Sequence, residues 1–321
     1  MQRRTFVTAT AATLAAPMIY AQTLPTGPIR IIVGFAPGGG TDILARVIGQ
    51  KLAVMWNTQI LVENRAGAAG TIAADYVSKQ AGDGTTLFMA HINSQAIAPA
   101  LMKLNYNADT DFQPIVLVGV TPNLLICNEQ QPARTVKDLV ELCKKNPGKV
   151  SFGSAGNGSA QHLALEMFKL AAKVDAIHVP YKGSGPMLID LIGGQIQYSF
   201  DTMTAATPHV KSGKAIAIAQ TREKRAKGHP TVPTMAESGF PGFEATTWYG
   251  LAGPAKMPAA MARRMNEDIN KVLAMPDVME KFEQYGAEDG GGTPEKFAGF
   301  MQVEARKWAK VVKDAGVKGD A

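Results

Sequence analysis

The chain has few of the residues that build covalently linked or metal-held sites. Its two cysteines, Cys127 and Cys143, lack CxxC spacing, and its five histidines form no HExxH motif. The sequence therefore predicts no metal site and no cofactor. Each cysteine completes an apolar pattern, which favours two buried free thiols. A disulfide stays open, because the sequence does not give the Cα separation that pairing requires.

A strong charge surplus and long apolar runs are also missing. Charged residues make up 19% of the chain, its net charge is +6, and Arg222 to Lys227 is the one basic cluster. No aromatic residues are interleaved with that cluster, so we interpret it as a solvated loop and predict no nucleic-acid partner. No segment after the N-terminal region reaches 18 uninterrupted apolar residues, so no membrane-spanning helix is predicted there.

Residues 1–21 have the composition of an export signal. Arg3 and Arg4 precede an apolar stretch from Phe6 to Tyr20, and the small residue Ala21 stands at a suitable cleavage position. The stretch is too short, and too broken by Pro17, to span a membrane. The paired arginines fit either a general secretory or a twin-arginine signal, so the route stays open. The sequence predicts a periplasmic protein.

A glycine-rich loop lies between a predicted strand and a predicted helix near the start of the mature chain. The apolar run Ile29 to Val33 is typical of a strand buried on both faces. Four glycines follow within seven residues, and Thr41 or Asp42 can cap the next helix. Backbone N–H groups in such a loop favour an anion such as a carboxylate. If Gly39 or Gly40 has a positive φ, these groups face the ligand.

Strand and helix patterns alternate along the rest of the chain, which predicts an α/β protein with mostly parallel sheets. The apolar runs at residues 115–119 and 124–128 predict two strands, and the tail predicts a helix that Thr293 caps and Gly316 ends. A second glycine-rich loop, from Ser154 to Ser159, again lies between a strand and a helix. Two anion-binding loops about 120 residues apart suit a ligand held between two lobes. Asp201, at the end of a later strand, can accept a hydrogen bond from a ligand or serve as a turn cap.

Several segments together resemble the Bug-type solute receptors of tripartite tricarboxylate transporter systems. They cover essentially the whole mature chain in one order: GFAPGGGTD at Gly34, AIAPAL at Ala96, SFGSAGNGSAQHL at Ser151, HVPYKGSGP at His178, the pair Phe200 and Asp201, and FAGFMQVEARKWAKVVKDAG at Phe297. The resemblance implies a two-lobed periplasmic binding protein of the type II kind with a ligand cleft between its lobes. Lobe 1 would comprise residues 22–122 and 251–321, and lobe 2 residues 123–250. The chain would cross between them near residues 121–125 and 247–251.

The resemblance also implies what the cleft binds and which residues bind it. The ligand would be a small solute with a carboxylate or amide, captured for uptake or sensing, with membrane transporter subunits as partners and the receptor itself a monomer. The ligand-binding positions carried onto this chain are Phe35, Ala36, Gly39, Gly40, Thr41, Asp42, Ser94, Gln95, Ser154, Asn157, Ser159, His162 and Asp201. Apolar walls for the ligand, or ordinary core positions, are Phe35, Met89, Phe200 and Trp248. His91 and His162 suit either a structural or a ligand-contacting role.

Two enzyme classes are the alternatives. A nicotinamide-dependent enzyme would use the first loop with Glu63, but the loop is GxxxGGG instead of GxGxxG, and Glu63 follows Gly34 by 29 residues instead of ~20. A hydrolase would use Ser154 or Ser159 with His162 or His178, but no GxSxG motif occurs. The sequence favours a binding protein without a catalytic residue.

Overall fold

The computed structural model describes residues 24–317, so the predicted export signal lies outside the described residues. The first part of the described chain contains β1 (Ile29–Val33), α1 (Gly40–Met55), β2 (Ile60–Asn64), α2 (Thr71–Ser78), β3 (Thr86–His91), α3 (Ala98–Leu101) and β4 (Phe112–Asn128). The middle part contains α4 (Val136–Lys145), β5 (Ser151–Ser154), α5 (Ala160–Ala172), β6 (Ile177–Pro180), α6 (Ser184–Ile192), β7 (Tyr198–Thr202), α7 (Met203–Lys211) and β8 (Ala215–Gln220). The last part contains β9 (Thr246–Pro254), α8 (Ala259–Leu273), α9 (Pro276–Gln284) and α10 (Pro294–Ala315).

The strands form two sheets that share the long strand β4. The first sheet has the order β2-β1-β3-β9-β4, with β2, β1 and β3 parallel and β9 antiparallel to both of its neighbours. In the second sheet, β6, β5 and β7 are parallel, and β4 lies antiparallel between β7 and β8. The part of β4 up to Pro122 pairs with β9, and the part from Asn123 pairs with β7 and β8. The chain therefore passes from one sheet to the other within a single strand.

Strand β1 confirms the prediction of a strand with two buried faces. Ile29, Ile31 and Val33 pack in one apolar cluster with α1 and α8, while Ile32 packs in another cluster on the opposite face of the sheet. A parallel strand covered by helices on both sides needs this nearly continuous apolar sequence. The carboxyl end of β1 delivers the chain into the first glycine-rich loop, so the buried strand fixes where that loop lies.

The alternation of strands and helices is confirmed, with one merger. The separate strands expected at residues 115–119 and 124–128 are one strand, β4, whose pairing register shifts at irregular points instead of ending in a turn. Helix α10 begins and ends as predicted, with the Thr293 side chain accepting from the Lys296 amide and Gly316 in the left-handed conformation. Both cysteines are free thiols buried in one core cluster, where burial raises each thiol pKa to about 11.

A network of buried hydrogen bonds holds β4 where it passes between the sheets. The Asn123 amide donates to the Thr221 hydroxyl over 2.9 Å, and the Asn123 side chain donates to the Ala245 carbonyl over 2.9 Å. The Thr221 hydroxyl also donates to Ala245 over 2.7 Å. Because Ala245 directly precedes β9, this network joins the two passages between the sheets into one unit.

Candidate functional site

The first glycine-rich loop has its left-handed residue at Gly38, where φ is 84°. The prediction of a positive φ at Gly39 or Gly40 is wrong, because Gly39 has φ −81° as the N-cap of α1 and Gly40 is the first helical residue. The prediction of a cap by Thr41 or Asp42 is also wrong. Gly39 gives α1 no side-chain cap, so no side chain there competes with a ligand for the first amides of the helix.

Asp42 supports the loop from behind. Its carboxylate accepts from Arg46, from the Asn64 side chain over 2.9 Å, and from the Gly38 amide over 3.1 Å. Burial acts to raise the pKa of Asp42, but the hydrogen bonds from Arg46, Gly38 and Asn64 outweigh it, and the pKa is lowered. The charge of Asp42 is thus already used inside the protein. Its contacts fix the left-handed turn at Gly38 and leave little capacity for a ligand.

A small cavity lies where the first loop meets the second sheet. Its volume is about 10 Å³, the room of about one water molecule. Its lining from the first loop and the first sheet is Phe35, Gly39, Gly40, Thr41, His91 and Tyr249, and from the side of the second sheet Ala155, Gln161, Ser184 and Thr202. We call this cavity the floor of the cleft.

Gly40 is the point of closest approach at the floor. A methyl group on Gly40 would collide with the Tyr249 hydroxyl and come within 3.0 Å of the Thr202 hydroxyl and 3.1 Å of the Thr204 side chain. A methyl group on Gly39 would meet only ordinary contacts, the nearest being Ser184 at 3.7 Å. Tyr249 and Thr202 thus occupy the space that a side chain at position 40 would need.

Several polar atoms at the floor are buried without a hydrogen-bond partner among the described residues. These are Tyr249 Oη, Thr202 Oγ1, Gln161 Oε1 and Asp201 Oδ2. Thr202 and Thr204 lie close enough to the Tyr249 hydroxyl to lower its pKa, but burial dominates and the pKa is raised. An unsatisfied buried hydroxyl costs about 1–3 kcal/mol, so such a cluster indicates a site that a ligand completes.

Asp201 is completely buried and does not itself line the floor, but it precedes Thr202 and contacts Ser184 and Gln161, which do. The Ser184 hydroxyl donates to its Oδ1, while Oδ2 has no partner among the described residues. Burial raises the pKa of Asp201 to about 7, against the opposing contacts with Ser184, the Thr202 amide and Gln161. The carboxyl group is thus held among neutral groups.

An outer cavity of about 360 Å³ opens above the floor. Phe35 and Ala155 line both cavities. The outer cavity is also lined by Gly67, Ala68, Ala69 and Met102 on one side, and by Gly156, Asn157, Pro180, Tyr181 and Lys182 on the other. The two cavities together form one cleft between the two sheets, and its outer part is walled mainly by small and apolar groups.

The turn from Gly67 to Gly70 is part of this cleft and was missed at the sequence level. Its four residues have φ of 140°, 45°, 51° and 94°, so two alanines are in the left-handed region. Strain of this kind costs of the order of 1–3 kcal/mol per residue and is concentrated at functional sites. The sequence AGAAG at residues 66–70 follows a strand and indicates a turn. It does not show that the two alanines have the same left-handed conformation as the glycines.

The second glycine-rich loop brings one predicted residue, Asn157, to the cleft. Ser159 instead caps α5 by accepting from the His162 amide over 3.2 Å. Ser154 shares a 2.6 Å hydrogen bond with His178 Nε2, and His162 accepts from the Gly158 amide over 3.1 Å. These three predicted residues hold the loop in shape from behind.

His162 and His178 form a stacked pair beneath this loop. Their ring centroids are 3.8 Å apart and the rings are nearly parallel, at 6°. Burial, together with the charges of His162 and Lys169, lowers the pKa of His178 to about 3, so His178 is neutral. A neutral ring can stack closely on its neighbour while it bonds to Ser154.

The remaining predicted residues lie at different distances from the cleft. Ala36 donates its amide to the Lys182 carbonyl over 3.1 Å, which joins the first glycine-rich loop directly to the loop between β6 and α6. Ser94 and Gln95 lie in a π-helical turn, Asn93–Ile97, and do not line the cleft. Gln95 lines a separate cavity of about 280 Å³. Neighbouring Asn93, which was missed, accepts from the Ala160 amide over 3.0 Å and so joins this turn to α5.

Most of the apolar candidates lie in the core, whereas His91 lies at the floor of the cleft. Met89, Phe200 and Trp248 are core residues, and Trp248 packs edge-on against Phe297 of α10 at 5.7 Å. His91 lines the floor, where it contacts Phe35 and Tyr249 and accepts from the Asn93 amide. Burial lowers the pKa of His91 to about 3, so the ring is neutral and brings no positive charge to the site.

Residues 24–317 include no helix with the length and apolar character needed to cross a bilayer. Within the same residues, no three histidine, cysteine or acidic side chains are grouped so as to hold a metal ion.

The sequence matches the tripartite tricarboxylate transporter family receptors over residues 44–317. The chain belongs to this family. Three solved structures are similar to the receptor: Rpa4515 of R. palustris with adipate (33% identity, 92% of this chain and 99% of that one, TM-score 0.89), the periplasmic binding protein BugD (35%, 92% and 99%, 0.87), and MatC (Rpa3494) of Rhodopseudomonas palustris with bound malate (32%, 90% and 100%, 0.84). The receptor therefore has the two-lobed fold of the periplasmic solute-binding proteins, as its sequence predicted.

The unpartnered hydroxyl of Tyr249 leads to a prediction about stability. Tyr249→Phe should leave the free energy of unfolding unchanged or raise it by about 1 kcal/mol, because it removes a buried hydroxyl that has no hydrogen-bond partner among the described residues. Urea unfolding followed by circular dichroism measures this. The matched control is Tyr106→Phe, which should cost about 0.5–1.5 kcal/mol because the Tyr106 hydroxyl donates to the Ser94 carbonyl over 2.6 Å. A larger loss for Tyr249→Phe than for the control would contradict the assignment.

Proposed function

We propose that the receptor binds a small carboxylate-bearing solute at the floor of the cleft and releases it unchanged. The carboxylate is held by the first amides of α1 and by the hydroxyls of Thr202 and Tyr249. The observation that carries the proposal is the convergence of a helix N-terminus without a side-chain cap and two unpartnered buried hydroxyls on one cavity. The adipate and malate of the similar structures are carboxylates, which supports this class of ligand.

The chemistry of the floor fits an anion without a positively charged side chain. The N-terminus of a helix carries the equivalent of about half a positive charge, and its free N–H groups donate to carboxylate oxygens. The Thr202 hydroxyl adds a donor from the second sheet, and the Tyr249 hydroxyl adds one from β9 of the first sheet. Hydrogen bonds to a charged acceptor are worth about 1.5–3 kcal/mol each, so a few of them give useful affinity.

The outer cavity receives the rest of the solute. Its wall from Ala68, Ala69, Met102 and Phe35 suits an aliphatic body, and Asn157 and Lys182 provide polar groups at the opposite wall. The Lys182 side chain is exposed, and the Lys182 carbonyl accepts from the Ala36 amide. A second carboxylate, amide or hydroxyl of the solute is expected near these polar groups.

A floor of about 10 Å³ has no room for a carboxylate, so the lobes must separate for the solute to enter and must close around it with a wider floor than in this structure. The boundary at residue 250 that the sequence predicts falls inside β9, which pairs with β4 from Thr246 and with β3 from Tyr249. Within the described residues we therefore assign lobe 1 to residues 24–122 and 246–317 and lobe 2 to residues 123–245, with the hinge where β4 passes between the sheets and at the start of β9. A ligand that contacts both lobes stabilises the closed form.

Small-angle scattering with saturating adipate or malate should show a smaller radius of gyration than scattering without the ligand. A bound protein whose profile equals that of a fully open one would contradict closure.

A hydrolytic role is the alternative that the Ser154–His178 contact raises. Ser154 also bonds to the Gly156 amide, and His178 is stacked on His162 without a carboxylate among its described contacts. An activated serine needs a base that is itself oriented by a third group. We therefore infer that Ser154 and His178 shape the loop.

We further propose that the protein is a periplasmic receptor. It passes its solute to membrane transporter subunits and works as a monomer.

Calorimetry with a matched pair of glycine variants tests the site. Gly40→Ala should weaken the binding of adipate or malate by tenfold or more, because its methyl group occupies the space of the Tyr249 hydroxyl. Gly39→Ala should change affinity by less than about threefold, because its methyl group meets ordinary contacts only. Circular dichroism confirms that both variants fold.

Three results would count against the proposal. Equal affinity in Gly40→Ala and Gly39→Ala would place the solute elsewhere. Conversion of a bound solute, detected by product analysis, would overturn the receptor role. A panel of mono- and dicarboxylates and their amides that shows no binding at all would remove the proposed ligand class.

A further inference from the structure

Asp201 is a buried acid for which the binding mode described above provides no counter-charge. The contacts that lower the pKa of Asp201 all come from neutral donors, namely Ser184 on α6, the Thr202 amide and Gln161 on α5. Its register partner on β4 is the apolar Leu124, and the phenol of Tyr249 faces it from β9. Its second oxygen, Oδ2, is buried and lacks a partner among the described residues.

The basic side chains around the cleft are either paired with another carboxylate or exposed at the outer cavity. Arg46 is paired with Asp42 on α1, and Lys182 is exposed at the outer cavity. A solute carboxylate at the floor therefore approaches a second carboxyl group with no cation between them. Two negative charges in a shared buried site repel each other strongly, and the usual outcome is that one of them holds a proton.

We propose that Asp201 takes up a proton from solvent when the solute carboxylate binds, so that the receptor binds an anion and a proton together. The proposal rests on the proposed function. Protonated Asp201 has no charge to repel the solute, and its buried Oδ2 becomes a donor while Oδ1 still accepts from Ser184. The bound anion needs no cationic side chain, because the proton brings the compensating charge.

The direction of the pH dependence follows from this linkage. In the unliganded protein the pKa of Asp201 is about 7, and a bound anion raises it further. Below about pH 6, Asp201 is protonated in both states and binding takes up no proton. Above pH 7 the unliganded carboxyl is ionised, so proton uptake approaches one per solute and affinity falls by up to about tenfold per pH unit.

Other titratable groups near the cleft do not account for such a change. His91 and His178 have pKa values of about 3, burial raises the pKa of Tyr249, and burial with the Asp190 contact raises that of Tyr181 to about 12. His162, on α5 beside Gln161, contacts His178 and Glu166. The variant Asp201→Asn separates Asp201 from all of these, since the Asn amide also donates but does not titrate in this range.

The test is calorimetry of adipate binding in buffers of different ionisation enthalpy, with wild type and Asp201→Asn at pH 6 and pH 8. Adipate is fully ionised at pH 8 and mostly ionised at pH 6, so its own carboxyls do not contribute to proton uptake at pH 8. We expect wild type to take up nearly one proton at pH 8 and few at pH 6. Asp201→Asn should bind at both pH values with no proton uptake and with a pH-independent affinity.

The outcomes separate this inference from the proposed function. Adipate binding by wild type at pH 8 without proton uptake overturns the inference alone, and uptake that persists in Asp201→Asn assigns the proton to another group and also overturns it. If neither adipate nor malate nor any other carboxylate binds at either pH, the proposed function fails.

A measurement without ligand tests the same carboxyl group. Because the folded-state pKa of Asp201 is raised above the unfolded value, ionisation favours the unfolded state. Wild type should lose stability relative to Asp201→Asn between about pH 4 and pH 7, and the difference should stay level above pH 7. A difference that does not change over this range shows an ordinary carboxylate at Asp201 and overturns the inference.

Discussion

The contact between Gly40 and the hydroxyl pair of Tyr249 and Thr202 is the constraint on which the rest of the site depends. Gly40 belongs to α1 on one side of the cleft, while Thr202 ends β7 on the other and Tyr249 lies on β9, which pairs with β4 where the chain crosses. The approach is close enough that even one methyl group would force it apart. The start of α1, whose first amides have no side-chain cap, is thereby held against the hydroxyls of Thr202 and Tyr249.

The groups around this contact are arranged at a cost to the ligand-free protein. Two hydroxyls, one amide oxygen and one carboxyl oxygen are buried without partners in the described part of the chain, and two alanines in the turn at residues 67–70 are in left-handed conformations. Each of these features destabilises the fold on its own account. Such features persist where function requires them, and here they lie along one cleft. The stabilising contacts lie behind them, in the Asp42–Arg46–Asn64 group and in the stacked histidines beneath the second loop.

The sequence predicted the parts of this arrangement that depend on local pattern. Apolar periodicity located β1 and α10, and the glycine-rich loops located the two places where strands end at the cleft. The conformation inside the first loop was predicted wrongly, because four glycines in seven residues allow several positions for one left-handed residue. Capping, support of a loop and ligand recognition use the same side chains, so the sequence does not separate these roles for Asp42 and Ser159.

Long-range pairing was beyond the reach of the sequence. Tyr249 and Thr202 lie within strands whose apolar pattern is that of a core, and only the antiparallel pairing of β9 and β7 with β4 brings them to Gly40. The left-handed alanines were hidden for a different reason, since alanine rarely adopts that conformation without tertiary support.

The most direct test of this account is a crystal structure of the receptor grown with adipate. The account predicts one adipate carboxylate at the floor of the cleft, within hydrogen-bond distance of the Gly40 or Thr41 amide and of the Tyr249 or Thr202 hydroxyl, with the aliphatic body toward Ala68 and Met102. Adipate bound with both carboxylates away from the α1 N-terminus, and with the Tyr249 and Thr202 hydroxyls still without partners, would contradict it.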